Sequence, residues 1–328
     1  MKNLIINTII FFLANSLAAQ TCCSGGVPVS SNLGLPASDG KTIQFNLSYD
    51  LNVLRTLKSG KEILDDHSRD RKTHAVLLEL GYSFTDRFSV DGFFSFVRQE
   101  RTVNQFGNTD FTFTQGVGDA IVLFKYKLLA LKNNQTTWLG GLGIKAPLGA
   151  SDLRNRETGI WLNADLQPGS GAWDAILWSQ FTQVTSFRPS MSFVSTLTYG
   201  IKGKNPAYFG TQVYQFGNEL QISMGLSDRL LIGKSIVDPA LLFRYRTVQA
   251  DRNNNNDLPS TGGQWVFINP SITYWINSDM SFNINGELPL YSKLEGTQVT
   301  PTFRWNIGFF YRISLRKANS NNQTFKMK

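Results

Sequence analysis

The sequence predicts an all-β fold: a transmembrane antiparallel up-and-down β-barrel of about twelve strands, with long extracellular loops and short periplasmic turns. Three observations predict it. Apolar and polar residues alternate with period two almost throughout residues 43–315. Most of the alternating segments run about 12 to 19 residues, whereas globular strands average about 5–6 and a tilted membrane-spanning strand needs roughly 9–11 for the hydrocarbon core. The connections between them are short and long in turn, the asymmetry of outer-membrane barrels. Composition agrees: 41% hydrophobic, 12% aromatic and 17% charged residues with 28 Gly exclude a disordered chain and a Lys/Glu-rich helical bundle, and 2 Cys cannot staple 328 residues.

Residues 1–19 read as a secretory signal peptide. Lys2 precedes the apolar run Leu4 to Ala14, and Ser16-Leu17-Ala18 and Leu17-Ala18-Ala19 are cleavage contexts that place the mature start near Gln20. The run is too short to span a bilayer. Cys22 and Cys23 follow directly. They offer a lipid-modified cysteine, a soft-metal ligand pair or paired thiols; Ala19-Gln20-Thr21 does not cleanly match a lipobox and no third His or Cys stands nearby, which favours a vicinal disulfide or a free pair of thiols. Residues 20–42 form a periplasmic N-terminal segment, rich in Gly, Ser and Pro between Ser24 and Asp39, that either hangs from the barrel or enters its mouth as a small plug.

The barrel occupies residues 43–315 and a polar tail residues 316–328. In its first strand Ile43, Phe45, Leu47, Tyr49, Leu51 and Val53 alternate with Gln44, Asn46, Ser48, Asp50 and Asn52. In the last, Phe303, Trp305, Ile307, Phe309, Tyr311, Ile313 and Leu315 alternate with polar residues and Gly308, and only Phe310 breaks the rule. Strands are expected at 43–54, 72–84, 87–101, 117–131, 135–148, 171–186, 189–204, 211–226, 231–249, 264–277, 280–292 and 301–315. Tight links fall at 85–86, 132–134, 187–188, 227–229 and 277–279, with turn-forming residues at each. Long links fall at 55–71, 102–116, 149–170, 204–210, 250–263 and 293–300. An even strand number then leaves both ends of the barrel chain on the periplasmic side. Trp138, Trp173, Trp178, Trp265, Trp275 and Trp305 lie in or near strand ends, where interfacial girdles form.

If the apolar faces meet lipid, the lumen receives Gln44, Asn46, Asp50, Glu79, Asp91, Asp119, Lys125, Lys127, Lys145, Asp174, Arg244, Arg246, Glu287, Arg304 and Arg312. Opposite charges on neighbouring strands can pair and fill a narrow barrel. Alternatively Lys125, Lys127, Arg244, Arg246, Arg304 and Arg312 form a basic strip that attracts anionic solutes. The net charge of +8 is expected on loops, with Lys58, Lys61, Arg69, Arg71 and Lys72 near anionic lipid head groups; export makes nucleic acid an improbable partner.

No catalytic residue, cofactor site or metal site is assigned. Some small outer-membrane barrels are lipid hydrolases, but the two histidines, His67 and His74, stand in no defensible Ser/His/Asp arrangement. Asp251-x-Asn253-x-Asn255 begins like a calcium loop, yet Asn256 replaces the required Gly and Gly262 the bidentate Glu. Gly116-x-Gly118 precedes a strand where a dinucleotide fingerprint needs a helix.

Three motifs carry a resemblance. They are Gly116-Val117-Gly118-Asp119-Ala120 followed by Lys125-Tyr126-Lys127, then Gly140-Gly141-Leu142-Gly143-Ile144-Lys145-Ala146-Pro147-Leu148-Gly149, then Gln167-Pro168-Gly169-Ser170-Gly171-Ala172-Trp173-Asp174. With Leu288-Pro289-Leu290-Tyr291, Gly296 and Gln298 they resemble the outer-membrane "transporter" proteins grouped with the phenol-degradation (meta-pathway) family, over about 116–315. The resemblance implies a Gram-negative outer-membrane barrel moving small, often aromatic or apolar, compounds. The polar tail from Lys317 and the absence of a large N-terminal hatch depart from a fatty-acid channel.

The expectation is therefore a passive outer-membrane channel for small molecules, with an unspecified solute as partner. Its other partners would be outer-membrane lipids including lipopolysaccharide, and the barrel-assembly machinery during biogenesis. The competing class is a non-transporting barrel with a packed lumen, serving as an anchor or partner-binding surface.

Overall fold

A computed structural model describes residues 34–36, 38–64, 68–105, 107–131 and 135–315. The expected signal peptide, Cys22, Cys23, His67, the tight link expected at 132–134 and the expected polar tail lie outside the described residues. Twelve strands form the wall: β1 (Thr42–Ser59), β2 (Arg69–Ser83), β3 (Phe88–Gln105), β4 (Ala120–Leu131), β5 (Thr136–Ala146), β6 (Asp174–Val184), β7 (Met191–Ile201), β8 (Glu219–Asp228), β9 (Ser235–Val248), β10 (Gly263–Trp275), β11 (Met280–Leu294) and β12 (Thr297–Ser314). Each pairs antiparallel with its sequence neighbours. β12 returns to β1 in a register that sets Ile43 against Ile313 and Asp50 against Asn306, which closes the barrel and removes its sheet edges.

Burial is inverted relative to a water-soluble protein. Leu47, Val76, Phe94, Phe124, Ile144, Leu177, Phe243, Ile272 and Ile284 are exposed on the outer face, whereas Gln44, Asp91, Lys125, Lys145 and Arg244 are buried inside. An apolar surface that circles the wall is stable only against hydrocarbon, so the alternation seen in the sequence is a lipid face and an interior face.

All twelve expected strands are present, and the differences have local causes. The tight link expected at 227–229 lies further on, because Leu230–Ile232 pairs with Ser235–Val237 and the chain reverses at Gly233, whose φ of 65° suits glycine. The long link expected at 102–116 is a hairpin. Asn108–Val117 pairs with the upper half of β3, Phe111 and Phe113 outward and Thr112 and Thr114 inward, before β4 takes over the lower half. The segment 211–226 divides: Gln212–Gln215 leaves the wall and joins Lys204–Tyr208, Arg252–Asn253 and Asn256–Asp257 in a four-stranded sheet at the long-loop end.

Three tryptophans expected at the interfaces point inward; Trp275 lines the interior cavity and donates its indole N–H to Asp238 Oδ2 at 2.7 Å. Trp178 is only 3% exposed, and its ring has room because Gly141 faces it across the β5–β6 pair, where a Cβ would come within 3.1 Å of that ring. Trp265 is fully buried and donates its indole N–H to Thr300 Oγ1 at 2.8 Å. Phe310, which broke the alternation of the last strand, is buried in the interior.

Candidate functional site

The interior is layered from the short-turn end to the long-loop end. Nearest the short turns lies a cavity of about 650 Å³. One side, from β10, β11, β12 and β1, presents Ser271, Thr273, Asn283, Asn285, Asn306 and Asn46; the other mixes Leu77, Leu139, Val194 and Leu242 with Glu79, Thr137, Gln180, Thr182, Ser192 and Thr196. Interleaved with their inward polar residues, β2 to β6 bury an apolar core of Ala75, Leu77, Phe93, Val97, Ile121, Leu123, Leu139, Ile176 and Trp178.

The N-terminal segment enters this space. Leu35 N–H donates to Asp91 Oδ2 at 3.0 Å, Leu35 O accepts from Lys125 Nζ at 2.7 Å, and Lys125 and Asp91 pair at 2.6 Å. One ion pair thus holds both polar groups of a single backbone residue. Gly34 lies against the Trp178 ring.

Above the cavity a belt of alternating charge crosses the interior. Asp119 pairs with Lys145 at 3.0 Å, Lys145 with Asp174 at 2.8 Å, and Asp174 with Lys202 at 3.3 Å. Glu219 pairs with Arg246 at 2.6 Å, Arg244 with Glu287, and Arg304 with Asp50 at 2.8 Å. Burial of these groups is tolerable because each is matched and hydrogen-bonded; an unmatched ion there would cost several kcal/mol.

Asp119 also closes the long segment 149–170. Its carboxylate accepts Gly149 N–H at 3.1 Å, Ser170 N–H at 2.9 Å and Ser170 O–H at 2.7 Å, while Lys145 donates to Ser170 Oγ at 2.5 Å. The three sequence motifs thereby meet at one point, and Gly149 and Gly169 touch where the two ends of the segment cross. Between those ends the chain folds into the barrel. Arg71 pairs with Asp165 at 2.7 Å and also donates to Gln99, Gln99 donates to Gln167 O at 3.0 Å, and Thr114 to Leu166 O at 2.5 Å.

The four-stranded sheet caps this end. Tyr208, Tyr214 and Phe216 pack on Ala164 of the inward segment. Asp251 accepts Tyr214 O–H at 2.7 Å and Gly217 N–H at 2.8 Å, and burial pushes its carboxyl up to about 6. Burial likewise pushes the Tyr208 phenol up to about 12 and raises Tyr214 further.

Of the residues expected in the lumen, Asp119, Lys125, Lys145, Asp174, Arg244 and Glu287 are buried within the barrel, with Arg246 and Arg304 nearly so. Lys127 is half-buried near the short-turn end. Arg312 reaches the turn at 277–279 instead, pairing with Asp279 at 3.1 Å and donating to Ser278 O at 2.8 Å. The basic strip does not exist as a row of uncompensated cations: Lys125, Arg244, Arg246, Arg304 and Arg312 each face a carboxylate of another element. Arg71, expected among lipid head groups, is 2% exposed and faces inward, because β2 begins at Arg69 and its register carries position 71 into the barrel.

Sequence reasoning missed Asp165, Ser170, Lys202 and Glu219 as members of this belt and clasp. Glu219 was in phase with Gln221 and Ser223, a readable signal; Asp165 and Ser170 sit in a segment without periodicity. His74 bonds Tyr49 O–H at 2.7 Å on the outer wall, beside Val76. In the run that begins like a calcium loop, Asp251 faces inward as described, Asn253 donates to Gln212 and Asn255 accepts from Lys204.

Among solved structures, an outer membrane channel from Pseudomonas putida F1 has 14% identity and a TM-score of 0.66, covering 85% of this chain and 97% of that one. The beta domain of the Bordetella autotransporter BrkA matches at 9% identity and a TM-score of 0.47, over 82% of this chain and 99% of that one. The transport unit of the autotransporter AIDA-I from Escherichia coli matches at 10% identity and 0.44, over 92% and 96%. The first likeness shows the outer-membrane barrel fold. Among curated proteins none matches the sequence. A family model matches residues 99–293, more than half of the chain, and takes in all three motifs that meet at Asp119. The chain accordingly belongs to the family described as "Putative MetA-pathway of phenol degradation".

Proposed function

We propose that this protein is a passive channel for small molecules in the outer membrane of a Gram-negative bacterium, delivered there through its N-terminal signal peptide. The observation that carries the reading is the cavity of about 650 Å³ in the short-turn half. A barrel that served only as an anchor would gain by packing this volume, since empty or wet interior forfeits dispersion contacts. Instead the wall presents Asn, Ser and Thr at successive inward positions of four adjacent strands. The charge belt and the inward segment 149–170 then act as the closed barrier of the path, and residues 34–36 as a small plug from the periplasmic side. Outer-membrane lipids, including lipopolysaccharide, solvate the apolar belt, and the barrel-assembly machinery inserts it.

The resemblance suggests apolar or aromatic solutes. The mixed lining supports a refinement, a solute with a hydrogen-bonding group on an apolar body.

The barrier itself favours a second reading, a non-transporting barrel that displays its capped end to a partner. Single-channel recording of the refolded mature chain in planar bilayers decides between them, with heat-modifiable gel mobility to show that the barrel has formed. Discrete ion steps are expected. A correctly folded barrel that never conducts would leave the anchor reading.

A further inference from the structure

Below the four-stranded cap, the interior carboxylates among the described residues are matched with one exception. Asp50, Asp91, Asp119, Asp165, Asp174, Glu219 and Glu287 each pair with a Lys or Arg. Glu79 of β2 lines the cavity and, among the described residues, forms no ion pair. It stands directly opposite Asn46 in the β1–β2 register and shares a side-chain hydrogen bond with it. The nearest cation, Lys125, already serves Asp91 and Leu35 O.

The neighbouring unpartnered atoms are all oxygens. Asn46 Oδ1 and Asp91 Oδ1 are buried without a hydrogen-bond partner, and Asp91 Oδ1 and Gln44 Oε1 both border Gly81, two residues beyond Glu79 on the same inward face. A patch with surplus acceptors and an uncompensated carboxylate lacks a donor that carries positive charge. Beside it, Leu77 and Leu139 give the cavity an apolar wall. We infer that Glu79, with Asn46 beside it on the cavity wall, is a binding site for the ammonium group of a small primary amine whose apolar body lies against Leu77 and Leu139.

The inference rests on the channel reading for its physiological use, but not for its test. An acceptor ring of this kind favours cations over anions, the opposite of the preference expected from a basic strip. A charge-assisted contact of an ammonium with a carboxylate also outweighs a neutral hydrogen bond.

Butylammonium chloride is the probe. Sodium butyrate, with the same body and an anionic head, is the control. Titration of the refolded full-length mature chain in detergent micelles, followed calorimetrically, is expected to show saturable butylammonium binding and none of butyrate. Glu79→Gln is expected to weaken butylammonium roughly ten-fold or more, from loss of a charged hydrogen-bond partner. Should that variant not fold, Asn46→Lys supplies a tethered ammonium at the site and is expected to abolish binding.

Absence of saturable binding, equal binding of butyrate, or an unchanged affinity in both variants overturns the inference. Binding with no current in bilayers leaves the site standing and removes the channel. Current that is indifferent to the sign of the ion and to Glu79→Gln does the reverse.

Discussion

Asp119 receives four donors on two oxygens: Lys145 Nζ, the amides of Gly149 and Ser170, and the Ser170 hydroxyl. Replacing it with Ala would leave two amides, a hydroxyl and part of an ammonium unmatched in a dry interior. Such losses around a buried ion pair cost about 3 kcal/mol or more. Asp119→Ala is therefore expected to lower the urea midpoint of unfolding in lipid vesicles with little change in slope; a midpoint equal to wild type would show that the clasp carries no stability. Asp251 gives a prediction with a sign. Burial holds its carboxyl near 6 against an ordinary 3.8, so the folded cap takes up the proton more readily than the unfolded chain. That contribution is complete below about pH 4 and is lost as pH rises through about 6. Protection of the Gly217 amide, corrected for intrinsic exchange, should fall between pH 5 and pH 7.5, and Asp251→Asn should flatten the dependence. A cap whose protection rises over that interval would contradict the assignment.

At the scale of elements, the strands were legible because a period of two leaves no other regular structure that buries one face. The inward charges of β4, β5, β6, β9, β11 and β12 were legible for the same reason. Their partners were not: the Asp119 carboxylate binds amides at positions 149 and 170, and nothing in a one-dimensional pattern specifies contacts across 30 and 51 residues. Trp178 was misplaced because its inward position depends on glycines of another strand, Gly141 above all. The hairpin around residue 107 was passed over although Phe111, Thr112, Phe113 and Thr114 alternate, since it lies where a long loop was expected. The crossing of segment 149–170 yields an element-scale test. A Cβ at Gly169 would stand 2.3 Å from Gly149 O, a distance that backbone cannot relieve locally. Gly169→Val is expected to release the segment and to speed tryptic cleavage at Arg154 and Arg156 about ten-fold, the equivalent of about 1.4 kcal/mol in local opening. Unchanged cleavage would mean that the segment is held by Asp165 and Gln167 alone.

For the whole molecule, the proposed channel makes the interior a set of barriers in series, and each should leave a different mark on a recorded current. In the proposed channel residues 34–36 are the plug, with the Leu35 backbone gripped by Asp91 and Lys125. In the same reading the charge belt and segment 149–170, held by the Asp119 clasp, are the second barrier. A group that narrows the path while it is open sets the size of a conductance step; a contact that must break before the path opens sets how often steps occur. Deletion of residues 24–39 removes Leu35 and leaves the Asp91–Lys125 pair intact to satisfy itself, so it should enlarge the steps without changing their frequency. Asp119→Ala should raise the frequency and leave the step size alone. If the deletion changed frequency and the clasp variant changed size, the order of the two barriers would be reversed. A deletion that altered neither would place residues 34–36 outside the conducting path, as a structural tether between the chain entering the barrel and its aliphatic wall.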